Sequence, residues 1–387
     1  MTASIYLPPE RSGVRWLLDP ESAELARLAR DAQVRTADSP CDPDAIAADL
    51  AVLPELLAER HFGAATGLIA PEAMAEADRL IQAARERVLR SQPGCWGDAI
   101  GDLNDALRLT LRDRHLRLQG SGDSAIRAGE PAAPVDERAP AIEVCTEAGV
   151  LCVLLRRLWG GADDDRLLWD WARDSLQHFE QDRIVVDLRG NGGGNDAITL
   201  EWISPVLPPG ATVPGTATGW FIKDTPLGIW NSVAMIEASQ GVDAVPSWHR
   251  DHLRQPMPAD ELAVRTEDDY PLEPGPRLWT GRMLVLVDRN TFSSGESSAW
   301  MLQHALGARL VGGRTGGALE YGNIVPYLLP VSGLQVMLPT KHNDFGQPVE
   351  IVGLPVHAEL DPRTPLTQVA AQFDVLYRAA EPAVAAT

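Results

Sequence analysis

Two stretches of the chain bring together residue types suited to acyl chemistry. The first, Val185-Val186-Asp187-Leu188-Arg189-Gly190-Asn191-Gly192-Gly193-Gly194, starts as an apolar β run and ends in glycines. Glycine lacks a Cβ, so its backbone reaches φ > 0 and lets amides approach a bound atom closely. A short buried strand that stops in such a loop can aim N–H groups at developing negative charge. A tight strand-to-helix turn explains the same glycines, and a short motif alone does not choose between the two. The second stretch follows the apolar run Arg282-Met283-Leu284-Val285-Leu286-Val287-Asp288. It reads Arg289-Asn290-Thr291-Phe292-Ser293-Ser294-Gly295-Glu296 and leads into a helix. Ser293 there has its Oγ at a helix N-terminus, where unpaired amides and the dipole favour an anion. The Ser294 amide is a natural oxyanion donor, and the first glycine loop can supply another. A plain helix N-cap is the competing reading of Ser293, and no G-x-S-x-G elbow surrounds it. A second glycine loop, Gly312-Gly313-Arg314-Thr315-Gly316-Gly317, follows a short strand over 308–311.

These loops need a scaffold. Residues 1–105 read as a helical subdomain without obvious chemistry. Residues 22–30 are good helix formers. A helix over 43–61 starts at Asp42 and carries Ile46, Leu50, Leu53 and Leu57 at helical spacing. Further helices begin at Pro71 and run over 98–112. From 106 to 387 the pattern is α/β. A half-buried strand follows His115, residues 120–140 form a loop, and Val150-Leu151-Cys152-Val153-Leu154-Leu155 is a strand. Asp163-Asp164-Asp165 reads as an exposed loop rather than a cation site, leading into an amphipathic helix over 167–181. The strand 184–188, the first glycine loop and a helix over 196–206 come next. Residues 207–279 are an irregular insertion with Trp220, Trp230 and Trp248; long unpatterned insertions are usually functional. His249 and His252 within it read as a surface pair, since no third metal ligand is near. Strands over 324–329 and 334–338 look antiparallel, residues 349–356 close the sheet, and the last helix covers 365–380.

Composition narrows the function. The chain has 387 residues, 45% hydrophobic and 23% charged, with a formal net charge of −20. That charge argues against nucleic acid or an anionic membrane as partner. No apolar run approaches a membrane span, and the N-terminal stretch does not read as a secretory signal, so a cytoplasmic protein is expected. Lys223 and Lys341 are the only lysines, which limits any lysine-based mechanism. The cysteines Cys41, Cys95, Cys145 and Cys152 show no C-x-x-C or metal spacing and are expected as buried free thiols. No metal or cofactor is expected, and oligomeric state is not legible.

Taken together, Asp187-Leu188-Arg189-Gly190-Asn191-Gly192-Gly193-Gly194, Thr291-Phe292-Ser293-Ser294-Gly295-Glu296 and the second glycine loop resemble the serine peptidase family of C-terminal processing proteases, tricorn protease and interphotoreceptor retinoid-binding protein. The resemblance spans roughly residues 106–361. It implies a crotonase-like (ClpP/crotonase-type) ββα catalytic domain after the helical subdomain. One branch of the family uses a lysine after the second glycine loop; here that place reads Gly316-Gly317-Ala318-Leu319. The tricorn branch uses a histidine in a D-x-H stretch and a late glutamate before a glycine. Asp113-Arg114-His115 and Glu350-Ile351-Val352-Gly353 match these, although tricorn has a serine where this chain has Arg114. The resemblance therefore implies Ser293 as nucleophile, His115 as general base and Glu350 as its support. It makes the amides of Gly194 and Ser294 the oxyanion hole, with Gly192, Gly193, Gly316 and Gly317 binding substrate. The interval from His115 to Asp187 leaves no room for the PDZ domain many members carry. The expected activity is a serine peptidase acting on a peptide or peptide-like substrate. A binding protein on the same fold, or an enzyme of acyl transfer or cyclisation, are the alternatives.

Overall fold

In this computed structural model the described residues are 3–6, 16–18, 31, 35–118, 139–159, 162–207, 220–222, 265–267, 277–329 and 331–381. The expected helix over 22–30, the loop over 120–140 except its last two residues, and His249 and His252 lie outside them, as does nearly all of the 207–279 insertion. The chain divides into two compact units. The first comprises residues 1–128, 221–266 and 321–342, the second 129–220, 267–320 and 343–387.

Elements are numbered in chain order. The chain opens with β1 (Ala3–Tyr6) and β2 (Trp16–Leu18), then α1 (Pro43–Leu50), α2 (Leu53–Arg60), α3 (Phe62–Thr66), α4 (Pro71–Ser91), α5 (Trp96–Thr110) and the short β3 (Arg117–Leu118). Next come β4 (Ile142–Glu147), β5 (Val150–Leu155), α6 (Ala162–Arg173), α7 (Ser175–His178), β6 (Arg183–Asp187) and α8 (Ala197–Ile203). β7 (Trp220–Ile222), β8 (Arg265–Glu267), β9 (Arg282–Val287), α9 (Ser294–Leu306), β10 (Arg309–Gly312), β11 (Tyr321–Leu328) and β12 (Gln335–Asn343) follow. The last elements are β13 (Ala358–Glu359), α10 (Leu366–Ala371) and α11 (Phe373–Ala379).

In the first unit the sheet runs β2-β1-β11-β12-β7-β8, with β3 also paired to β12. β11 and β12 are antiparallel, as their patterns predict. Their buried Tyr327, Val336 and Leu338, with Leu329 just after β11, join Ile46, Leu53, Ile81, Val88 and Leu103 of the helices in one core. Asp42 caps α1, its carboxylate accepting from the amides of Asp44 at 3.0 Å and Ala45 at 3.3 Å. Asp42→Ala is expected to cost about 1 kcal/mol and to lower the calorimetric Tm by about 2–4 °C. The continuous helix expected over 43–61 is instead α1 and α2. Pro54 sits in the first turn of α2; it has no N–H for the Leu50 carbonyl and its ring would collide with it, so the first helix stops and a second begins.

The second unit carries the sheet β13-β10-β9-β6-β5-β4, parallel except at β4. Both faces are covered, which is why its strands are apolar at nearly every position. Ile184 and Val186 of β6, and Met283, Val285 and Val287 of β9, pack on one face with Trp171, Phe179, Ile198 and Trp202. Val185, Leu284 and Leu286 point to the other, against Val369 and Phe373. Strand β4 did not stand out in the sequence because its outer face is solvated. It joins β5 through Ala148 and Gly149, both at positive φ, the geometry of a two-residue hairpin turn.

Five further expectations are corrected. Asp163, Asp164 and Asp165 form the first turn of α6, not a loop; carboxylates suit the positive end of a helix, and Asp164 pairs with Arg157 at 2.6 Å. The helix predicted over 167–181 is split at Asp174 into α6 and α7, and that over 365–380 at Gln372 into α10 and α11. Residues 349–356 do not close the sheet. Ile351 and Gly353 take φ of 70° and 77°, outside strand geometry, and β13 fills the edge position. All four cysteines are free, but only Cys152 is buried, its thiol pushed up to about 12 chiefly by burial.

Candidate active site

Ser293 owes its place to the second unit's parallel sheet. β6 and β9 are neighbours in parallel register, so their C-terminal loops emerge side by side. Asp288, at the end of β9, gathers them: its Oδ1 accepts from the amides of Gly190 at 3.0 Å, Asn290 at 2.9 Å and Thr291 at 3.0 Å. Thr291 Oγ1 donates to the Leu188 carbonyl at 2.9 Å, and the Phe292 amide donates to the Asn191 carbonyl at 2.9 Å. Asn191, fully buried, accepts from the Gly193 amide at 2.9 Å and donates to the Leu155 carbonyl at 2.7 Å.

On this stitched pair of loops Ser293 takes φ 52° and ψ −123°. A non-glycine residue there is strained, and such strain gathers at functional sites. An ordinary N-cap has an extended backbone, so the capping role read from the sequence does not by itself account for Ser293. Directly behind it lies Gly193 at φ 107°; a Cβ there would fall 2.9 Å from the Ser293 Cβ. Gly194, at φ 135°, backs onto Leu158 so closely that a Cβ would meet its carbonyl carbon and oxygen at 2.3 Å. Ser294 Oγ donates to the Gly194 carbonyl at 2.8 Å, which holds the two expected oxyanion donors next to each other. Among the described residues, neither the Gly194 nor the Ser294 amide has a hydrogen-bond acceptor. Gly192 is exposed.

Gly316 and Gly317 are tied into the protein through their amides. The Gly316 amide donates to the Thr291 carbonyl at 2.8 Å, and a Cβ on Gly316 would strike the Phe292 ring. The Gly317 amide goes to Glu296. That residue, in the first turn of α9, is the organiser the sequence did not single out. Its fully buried carboxylate accepts from the Thr315 hydroxyl, the Gly317 amide at 2.9 Å, the Ala318 amide at 2.7 Å and the Ser293 amide at 3.3 Å. Burial pushes its pKa above the usual carboxylate value, against the downward pull of Thr315 and the three amides. One side chain therefore joins the serine turn to the second glycine loop. A single clue was present in the sequence: a glutamate three residues after a serine at a helix start.

Glu350 belongs to the same unit and is fully buried. Its Oε2 accepts from the Glu320 amide at 3.0 Å, while Glu320 Oε1 accepts from the amides of Val349 at 2.6 Å and Glu350 at 3.1 Å. The Ile351 amide donates to the Gly317 carbonyl at 2.7 Å. Hydrogen bonds thus run from Ser293 through Glu296 and Gly317 to the residue beside Glu350. His115 lies in the first unit, where its amide donates to Asp113 Oδ1 at 2.7 Å. Asp113 is also bound by His61, a residue no motif marked.

Residues 168–343 match the model of peptidase family S41. That stretch, under half of the chain, is similar to peptidase family S41. It holds Ser293, Ser294 and both glycine loops, while His115 and Glu350 fall outside it. The match supports a serine-type peptidase. Comparison with curated protein sequences returned no match. Among solved structures, mature CPAF is similar at 13% identity over 86% of this chain and 95% of that one, with a TM-score of 0.52. Mature CPAF complexed with lactacystin gives 12% identity, 87% and 98% coverage and a TM-score of 0.52. At these identities the likeness is one of fold. The tricorn protease aligns over 87% of this chain and 37% of its own, at 12% identity and a TM-score of 0.42. Among the described residues no helix is long and apolar enough to cross a membrane.

Proposed function

We propose that this S41 protein cleaves peptide or amide bonds through an acyl-enzyme on Ser293, with His115 as general base and Glu350 as its support. The observation that carries the proposal is the backbone of Ser293 itself, strained at φ 52° and ψ −123° on a turn braced by both glycine loops. His115 takes the Oγ proton as the oxygen attacks the substrate carbonyl carbon. The tetrahedral oxyanion is held by the amides of Gly194 and Ser294, each donor worth about 3–4 kcal/mol in comparable sites. The C–N bond then breaks, and protonated His115 returns its proton to the leaving amine. Water, deprotonated by His115, attacks the ester, and the acid product leaves as Ser293 regains its proton. The crotonase-type ββα arrangement and a cytoplasmic setting belong to the same reading.

Support for the oxyanion assignment comes from Ser294 Oγ on the Gly194 carbonyl, since that bond ties the two donor residues together. The amides of Gly193, Gly316 and Gly317 are engaged within the protein, so of the four glycines expected to bind substrate we retain Gly192 as an open backbone contact. The test is labelling of the full chain with a fluorophosphonate, followed by peptide mapping. Modification of Ser293 is the expected result. A folded protein that takes no label would favour a binding protein on this fold, and product analysis on a labelling-competent protein separates hydrolysis from transfer.

A further inference from the structure

Behind the D-x-H stretch of the first unit sits a buried pair that the proposed reaction does not itself use. His61 and Asp113 are both fully buried, with His61 Nε2 3.0 Å from Asp113 Oδ2. The Gly63 amide donates to His61 Nδ1 at 3.1 Å. Nδ1 is thereby an acceptor, so the ring proton lies on Nε2 and His61 donates to Asp113 as a neutral imidazole. The other oxygen, Asp113 Oδ1, accepts the His115 amide at 2.7 Å. This closes an Asx turn over Asp113-Arg114-His115, a local bond that fixes the backbone two residues on.

The surroundings leave His61 little freedom. It caps α3 through the same Nδ1. Its ring meets the edge of Tyr321 with centroids 5.3 Å apart, and a Cβ on Gly63 would come within 2.5 Å of the Tyr321 hydroxyl. A buried carboxylate is costly unless donors satisfy it, and here two neutral N–H groups do so. Desolvation pushes Asp113 up, but the hydrogen bonds from the His61 ring and the His115 amide help bring it below the usual carboxylate range. A carboxylate held ionised beside the His115 backbone is suited to stabilising the imidazolium that forms on acylation, as the acid of a serine triad does.

We infer that His61 is a positioning residue for the general base, acting through Asp113: it fixes the carboxylate that fixes the turn carrying His115. This rests on the Ser293–His115 reading proposed above. A merely structural pair, tying the start of α3 to the turn after α5, would show the same distances, so the test must separate the two.

The test is the rate of fluorophosphonate labelling of Ser293 in the full chain, resolved into the reversible binding constant and the maximal inactivation rate, with thermal unfolding measured alongside. His61→Phe keeps ring volume and removes the donor. His61→Gln keeps an N–H able to reach Asp113. Asp113→Asn keeps an acceptor for the His115 amide but sets an N–H against the His61 N–H and drops the charge. His61→Phe and Asp113→Asn are expected to lower the inactivation rate about 10–100-fold, at or below the low end of what a general base itself contributes, with binding changed less than about threefold. His61→Gln is expected to recover most of the rate. If His61→Phe does not fold, the contrast between His61→Gln and Asp113→Asn decides. Wild-type inactivation rates in folded His61→Phe or Asp113→Asn, or losses in all three variants that track only their melting temperatures, overturn the inference. Failure of the wild type to label would instead overturn the Ser293 reading on which it rests.

Discussion

Ser293→Gly is expected to raise the melting temperature while reducing fluorophosphonate labelling to background. At φ 52° and ψ −123° a residue with a Cβ carries strain on the order of 1–3 kcal/mol. Glycine relieves it, at an entropic cost of about 0.5–1 kcal/mol. The net gain is about 1 kcal/mol, or about 2–4 °C in a calorimetric scan of a unit of this size. Ser293→Ala is the matched control. It keeps the Cβ and the strain but loses the Oγ that the label attaches to, so its stability should stay near wild type while labelling again falls to background. The pair separates two roles of one residue. A serine kept only as a helix cap would lose stability in both variants, and retained labelling in either would remove Ser293 as nucleophile.

The second large effect is expected at Glu296. Its carboxylate is the shared acceptor for Ser293, Thr315, Gly317 and Ala318. Glu296→Ala strands those donors in a fully buried site. Each unsatisfied buried donor costs about 1–3 kcal/mol; with partial relaxation and water entry the net loss is expected at about 3–5 kcal/mol, a fall in Tm on the order of 10 °C. Labelling of Ser293 should drop as well, because the turn and the second glycine loop lose their link. Glu296→Gln offers one oxygen to the four donors and turns an N–H toward the rest, so it should fall between wild type and alanine. Calorimetry and labelling rates on the same preparations check both statements. Wild-type stability in Glu296→Ala would mean that the carboxylate does not organise this site.

The residues legible in advance share one property: their signal is local. Asp42 announces α1 because a cap acts over three residues. The runs that become β6 and β9 are continuously apolar because each strand is buried on two faces. The glycines of 192–194 stand where the backbone turns within a few residues. Helix breaks were harder. Pro54 marks the start of α2, but the apolar spacing that spans it hides the interruption. The split at Asp174 carries no glycine or proline of its own. The segment 349–356 reads as a strand because its composition is apolar, yet Gly353 and Ile351 bend it, and its amides at Val349 and Glu350 go to the Glu320 side chain rather than to a neighbouring strand.

By itself the sequence determined the α/β pattern of the second unit, the two glycine loops and the serine at a strand-to-helix turn, since burial pattern and backbone freedom act between near neighbours. Tertiary structure decided the roles of Glu296 and His61. Glu296 finds its acceptor duties on Thr315, Gly317 and Ala318, on a different loop, and His61 meets Asp113 across 52 residues of chain. A buried carboxylate draws whichever donors the fold brings to it, and no spacing in the chain specifies that meeting. The strain at Ser293 is of the same kind: a serine tolerates that backbone only because the loops after β6 and β9 hold it there.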